Sequence, residues 1–283
     1  MKVVYILSIY CFLMIRFCLG SSYNVEAGNA EISKILTKIR KTMEAPNIEI
    51  VARTEGYFYE PQSENKGRIS PQVFRFLADS SGKWRCETDT LLDENASLIS
   101  YSIYDGKYWW KYIKNKNVFS KQIITPGLAN HTRQTYIEMI LSGSPIGVFT
   151  YNDKDPQQKK FWDFSKATLK ETTINGRKAL LLMVPSFKEA LKGYSWETKK
   201  LVSASTLTFK VWVDPKTYLP IEVQTEEKLE KAEDPKFEGR IEVHSHKILK
   251  FSLNPVIKKG MFLFTPPKGA KEVSPAELAN LLR

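Results

Sequence analysis

Two periods of apolar and polar residues alternate along this chain. Ile32, Ile35, Leu36, Ile39 and Met43 follow the i, i+3, i+4, i+7, i+11 spacing of one helical face. Asn29 is placed to cap that helix and Pro46 to close it. One apolar stripe on an otherwise charged helix implies that it lies on a greasy surface. A period of two then takes over. It predicts strands at 47–59, 72–78, 83–90, 97–104, 107–113 and 118–125, with turns at Ser80-Ser81-Gly82 and Asp105-Gly106. Residues 60–71 are polar and read as a loop.

The middle changes character. Thr132 to Leu141 reads as a helix stopped by Gly143, and a short second helix is expected from Asp155 to Phe164. Strands resume at 167–173 and 177–184 around Asn175-Gly176, the strongest hairpin signal in the chain. Residues 186–203 read as a long mixed connection. Leu207, Phe209, Val211 and Val213 then alternate with polar neighbours. After the Asp214-Pro215 turn, Leu219, Ile221 and Val223 do the same. A further strand is expected within 236–251. Ser274-Pro275-Ala276-Glu277 is a capping box with proline at the first helical position, so a short helix should follow.

Helix, strands, a small helical insert, strands and a helix argue for an α+β fold. Its sheet should be one strongly curved antiparallel layer, an incomplete barrel, with helices covering its concave apolar face. A flat sheet of this many strands would leave too much apolar surface uncovered.

Lys2 followed by the apolar run Val3–Ile15 and the small residues around Cys18-Leu19-Gly20 read as an export signal cleaved after Gly20. An uncleaved anchor is the alternative. Residues 21–283 are then one domain. Residues Ile15-Arg16-Phe17 before Cys18 do not make a lipobox, so no lipid anchor is expected. The mature chain keeps Cys86 alone, which rules out an internal disulfide. The formal charge of +11 becomes about +9 without Lys2 and Arg16. The lysines are scattered, without a basic tail or recognition-helix pattern, so nucleic acid is not an expected partner.

Catalytic motifs are not found: there is no G-x-S-x-G, no H-E-x-x-H, no glycine-rich phosphate loop and no acid pair in a supporting context. The chain is expected not to be an enzyme. His244 and His246 share a strand face with Glu242, but a solvated face is the expectation there rather than a metal site. No metal and no cofactor are expected.

Several stretches, in order, resemble the LolA/LolB-like lipoprotein-carrier superfamily, which includes the RseB-type envelope sensors. Residues Tyr104-Asp105-Gly106-Lys107-Tyr108-Trp109-Trp110-Lys111-Tyr112 are similar to its "DGK, then aromatic" hairpin. Val211–Val223 is similar to its "W-x-D-P-K-T-x-L-P" hairpin. Phe262–Val273 is similar to its closing "F-x-x-P-x-G-A-x-x-V" segment. Tyr218 departs from the pattern, which often has a small residue such as glycine there. The resemblance spans residues 30 to 273 and implies a periplasmic half-barrel whose concave face takes acyl chains.

On that basis Phe74, Phe76, Tyr101, Ile103, Trp109, Leu207, Phe209, Val211, Leu219, Ile221 and Val223 are the candidate cavity lining. Trp109 and Trp110, being adjacent, should point to opposite faces, one inside and one at the rim. Lipid or lipoprotein acyl chains are the expected partners, with a membrane-bound donor or acceptor protein beside them. The chain is expected to act as a monomer. The alternative is an envelope sensor or scaffold that binds a protein through the same fold without lipid transport. RseB-type proteins carry a second domain after the first, and none is expected here.

Overall fold

The first apolar stripe forms helix α1 (Ala30–Met43), which buries Ile32, Ile35, Leu36, Ile39, Thr42 and Met43. It is seen in a computed structural model that describes residues 30–61, 64–91, 97–142, 162–186, 192–194, 201–232 and 234–281. The expected export signal, the Asn29 cap and Gly143 lie outside these residues, as does most of the helix expected from Asp155.

Strands β1 (Ile48–Glu60), β2 (Asn65–Ala78), β3 (Trp84–Leu91), β4 (Ser97–Tyr104), β5 (Tyr108–Ile113) and β6 (Val118–Ile123) follow α1 as a meander. Helix α2 (Pro126–Ser142) comes next, then β7 (Thr168–Ile174), β8 (Arg177–Pro185), β9 (Lys192–Tyr194), β10 (Leu201–Val213), β11 (Pro220–Lys231) and β12 (Ile241–Leu253). The chain closes with β13 (Lys271–Glu272) and α3 (Pro275–Leu281). All described strands join one sheet in the order β13-β6-β5-β4-β3-β2-β1-β12-β11-β10-β8-β7, with β9 beside β10. Every pairing is antiparallel except β13 with β6.

The sheet is curved and open, an incomplete barrel. Trp84 of β3 and Leu182 of β8 belong to one buried cluster with α1 and α2. Five strands separate β3 from β8 in the sheet order. At about 4.8 Å between neighbouring strands, a flat sheet would hold them too far apart to share a core. Curling around the helices brings them together. This bears out the expected α+β incomplete barrel with helices on its concave face.

Several local expectations change. Residues 65–71 belong to β2, and the β1–β2 hairpin pairs as far as Glu60 with Asn65. This end of the hairpin carries polar residues because little core lies beneath it. Gly67 packs under the Phe58 ring so closely that a Cβ would lie 2.2 Å from ring carbons. Helix α2 starts at Pro126, because the Leu128 amide donates to Thr125 Oγ1 at 3.2 Å as an N-cap. Trp162 bridges to Ser186, and Phe164–Lys166 forms a 3-10 turn where a helix was expected to end. Part of the expected connection at 186–203 is strand β9, paired with β10.

Other local signals hold. Asn175 and Gly176 both have positive φ, as a tight hairpin turn requires. The Ser274 amide donates to Glu277 Oε2 at 2.8 Å and the Glu277 amide to Ser274 Oγ at 3.2 Å, a reciprocal capping box.

Candidate functional site

The concave face is built by alternation. Ile48, Ile50 and Ala52 of β1 face Phe76 and Phe74 of β2, while Phe209, Val211 and Val213 of β10 and Val223 of β11 come in from the far side. Leu180, Leu182 and Val184 of β8 extend that wall. The opposite positions form the outer face, where charges are paired. Lys210 meets Glu226 at 2.7 Å and Lys250 meets Glu49 at 2.8 Å. Arg75 meets Glu87 at 3.2 Å, and Lys247 pairs with Glu55.

Helices fill the concave space. The buried stripe of α1 joins Ile137, Ile140 and Leu141 of α2 in one cluster with the strand residues. The Trp84 indole N–H donates to the Ala129 carbonyl at 3.1 Å, which fixes the start of α2 to β3. Tyr136 stacks obliquely on Trp84 at 5.2 Å and Trp109 meets Trp84 edge-on at 6.2 Å. Arg133, buried on α2, donates to the Ala45 carbonyl just beyond α1. Burial lowers the Arg133 pKa, opposed by the charge of Asp79.

Away from the helices, the same face becomes polar. In the register, Phe209 is followed by Thr225, His244 and Gly56, and Leu207 by Glu227, Glu242 and Phe58. Ser205 Oγ donates to Glu227 Oε1 at 2.6 Å. Glu242 accepts from Arg240 at 3.1 Å and meets His244 Nε2 at 2.8 Å. The His244 hydrogen bond is the largest influence holding the Glu242 pKa below its usual range, against burial. His246 lies one register step closer to the helices and is buried. Burial, aided by the neighbouring His244, pushes its pKa down to about 3, with the Ile140 carbonyl acting the other way. The surface thus grades from aliphatic to charged along the concave face. Among the described residues no three His, Cys, Asp or Glu side chains converge as a metal site requires.

The hairpin turn that precedes β11 is held by Asp214, whose Oδ1 accepts from the amides of Lys216 and Thr217, both at 2.8 Å. Tyr218 follows with φ +56°. That left-handed backbone favours glycine, so a side chain as large as tyrosine is unusual there.

A family model described as a predicted periplasmic protein, DUF2092, matches residues 93–275. The chain belongs to the DUF2092 family. Export to the periplasm, expected from the leader, agrees with that description. No curated protein matches the sequence. Among solved structures, an uncharacterized conserved protein from Thermus thermophilus is similar at 11% identity and a TM-score of 0.38, covering 86% of this chain and 99% of that one. A DUF1329 family protein from Desulfovibrio piger is similar at 10% identity and a TM-score of 0.28, covering 81% of this chain and 95% of that one. A β-barrel-like DUF1849 protein from Brucella abortus is similar at 9% identity and a TM-score of 0.25, covering 75% of this chain and 100% of that one.

Within this DUF2092 chain, Phe74, Phe76, Phe209, Val211 and Val223 are buried together on the concave face, and Trp109 and Leu207 pack against them half-buried. Trp109 donates its indole N–H to Ser102 Oγ at 2.7 Å. The remaining candidates sit elsewhere. Tyr101 and Ile103 belong to a second cluster on the outer face, with Trp110, Tyr112 and Phe119 beneath Phe264. Trp110 is therefore covered by the closing segment rather than set at the rim. Its ring lies 5.4 Å from that of Phe264.

Leu219 and Ile221 fall out of register with Val223. A bulge between Trp212 and Val213 pairs Val213 with Pro220 while Trp212 pairs with Glu222, leaving Ile221 unpaired. Pro220 takes the buried position that simple alternation gives to its neighbours. Ile48, Ile50, Trp84, Trp162, Leu182 and Val184 are concave residues that sequence reasoning did not name. Ile48 and Ile50 were visible in the period of two of the first strand. The run Ala179–Val184 hides its parity, because nearly all its positions are apolar.

Proposed function

We propose that this protein is an exported carrier that holds the acyl chains of a lipid or lipoprotein against its concave face, with α1 as the displaceable cover. The observation behind this is the way α1 is seated. Its isoleucines, leucine and methionine lie against the sheet as a hydrocarbon strip. An acyl chain offers the same kind of contact at roughly 0.8 kcal/mol per buried methylene. Exchange of one strip for the other therefore costs little in apolar burial. The polar end of the face, with Glu227, Glu242, His244 and Arg240, gives a headgroup its place beyond the helices.

The resemblance to the LolA/LolB-like superfamily supports this reading. Its motif stretches fall on the β4–β5 hairpin, the β10–β11 hairpin and the segment that covers the outer cluster. The proposed role is binding rather than catalysis, with a membrane-bound donor or acceptor protein as a further partner. Mass spectrometry of protein purified without detergent tests it. A co-purifying lipid or acylated peptide is expected. Lipid-free protein that takes up no added fatty acid or lipoprotein would contradict the proposal and favour a sensor that binds a protein.

A further inference from the structure

One end of the half-barrel gathers exposed apolar tips and lysines that form no ion pair among the described residues. The register runs Leu253, Ile48, Ala78, Trp84, Tyr104 and Trp109 as successive partners from β12 to β5. Tyr108, next to Trp109, pairs with Ile123 at the end of β6. Beyond this row lie the end of α1, the Asp79–Lys83 turn, the Asp105–Lys107 turn, the corner into α2 and the segment after Leu253.

Four of the eight exposed large hydrophobic residues among those described sit on this rim. Val256 is 97% exposed, Ile123 75%, Leu253 47% and Leu128 46%. Lys41, Lys107, Lys258 and Lys259 are exposed around them, with Lys83 half-buried. None of these lysines forms an ion pair among the described residues, and Lys107 lies over the Tyr108 ring, 4.9 Å from its centroid. Two of the rim carboxylates are engaged locally. Asp79 Oδ1 accepts from the amides of Ser81 and Lys83. Asp105 Oδ1 accepts from those of Lys107 and Tyr108. Glu44 is the exposed acidic group nearest Lys41 in the chain.

We infer that this rim docks on an anionic lipid bilayer. The apolar tips fall at two places, Ile123 and Leu128 at the corner into α2 and Leu253 and Val256 where β12 ends, with lysines on the neighbouring turns. A fluid bilayer accepts separated tips. Each aliphatic side chain enters the headgroup–acyl boundary, and the lysines reach phosphates on their flexible stems. The inference goes beyond the carrier reading, since it concerns a surface outside the concave face and can fail independently.

Flotation of the mature chain with vesicles tests it. Binding to phosphatidylglycerol-containing vesicles is expected, with much weaker binding to pure phosphatidylcholine and a decline as salt rises. Lys258→Glu with Lys259→Glu should weaken the anionic-vesicle binding by at least about tenfold. Val256→Asp with Ile123→Asp should abolish it. All four positions are exposed, and an unchanged circular dichroism melt confirms folding. Uptake of a fluorescent fatty acid in solution should be unaltered in both variants, which separates this surface from the concave face. No vesicle binding by the wild-type chain, or binding that survives both double substitutions in folded protein, overturns the inference.

Discussion

The Arg133 guanidinium on α2 donates its Nη2–H to the Ala45 carbonyl just past the end of α1. This bond ties the two helices that fill the concave face and sits where α1 turns into β1. A buried guanidinium with a carbonyl partner contributes more than an exposed one, because loss of either group strands the other away from water.

Arg133→Met should therefore loosen α1 without unfolding the sheet. A loss of about 1–3 kcal/mol is expected in urea denaturation. Hydrogen exchange should rise over residues 30–45 more than over β1 or β12. Equal exchange in both regions would show that the bond does not govern the helix.

The Asp214 turn gives a second test. Its carboxylate accepts two amides, and the Thr217 amide is the largest cause holding its pKa below the usual range. A depressed folded pKa means that this contribution is present above the ordinary carboxylate pKa and fades as pH falls through the folded value. Asp214→Ala should cost about 1–2 kcal/mol at neutral pH. The difference from wild type should shrink in acid. Urea melts of both proteins at neutral pH and near pH 3 read both effects.

The same hairpin shows how far a sequence carries this fold. Alternation placed Phe209, Val211 and Val223 on one buried face, and that holds. It failed for Leu219 and Ile221 because the bulge at Trp212–Val213 inserts one residue, and a period of two cannot reveal an insertion. Tyr101 and Ile103 also alternate as read, but on the outer face. Their burial depends on Phe264, which lies far along the chain and covers them from outside. Periodicity defines two faces and does not say which is concave. The polar start of β2 was read as a loop because its strand structure comes from pairing with β1 rather than from core burial. The helix stripe and the capping box at Ser274 were legible because all their determinants are local.

His246 links stability to mild acidity. It is buried beside His244 and near the Ile140 carbonyl, and its pKa falls from 6.5 to about 3. In the folded chain it stays neutral while the unfolded chain takes up a proton below pH 6.5. Stability is therefore complete above that pH and lost as pH falls towards 3. One such group gives a slope of about 1.4 kcal/mol per pH unit. His246→Leu should flatten the stability–pH curve by about one proton between pH 6 and 4. An unchanged slope would show that His246 is protonated in the folded state.

Cys86 should be inert. It is buried, and burial is the main cause raising its thiol pKa to about 12. An aromatic disulfide reagent should leave native protein spanning residues 21–283 unmodified and label it fully in denaturant. Rapid labelling of native protein would mean that β3 opens readily.

Trp84, Trp109 and Trp162 belong to the concave core or pack against it, whereas Trp110 lies in the outer cluster. The most direct test of the carrier account is quenching of their fluorescence by a fatty acid brominated along its chain. The account predicts saturable quenching by the brominated acid, little by its unbrominated counterpart, and loss of the effect in a folded Phe209→Ser, Val211→Ser variant. Saturable quenching that persists in that variant, or none in the wild-type chain, would contradict acyl-chain binding on the concave face.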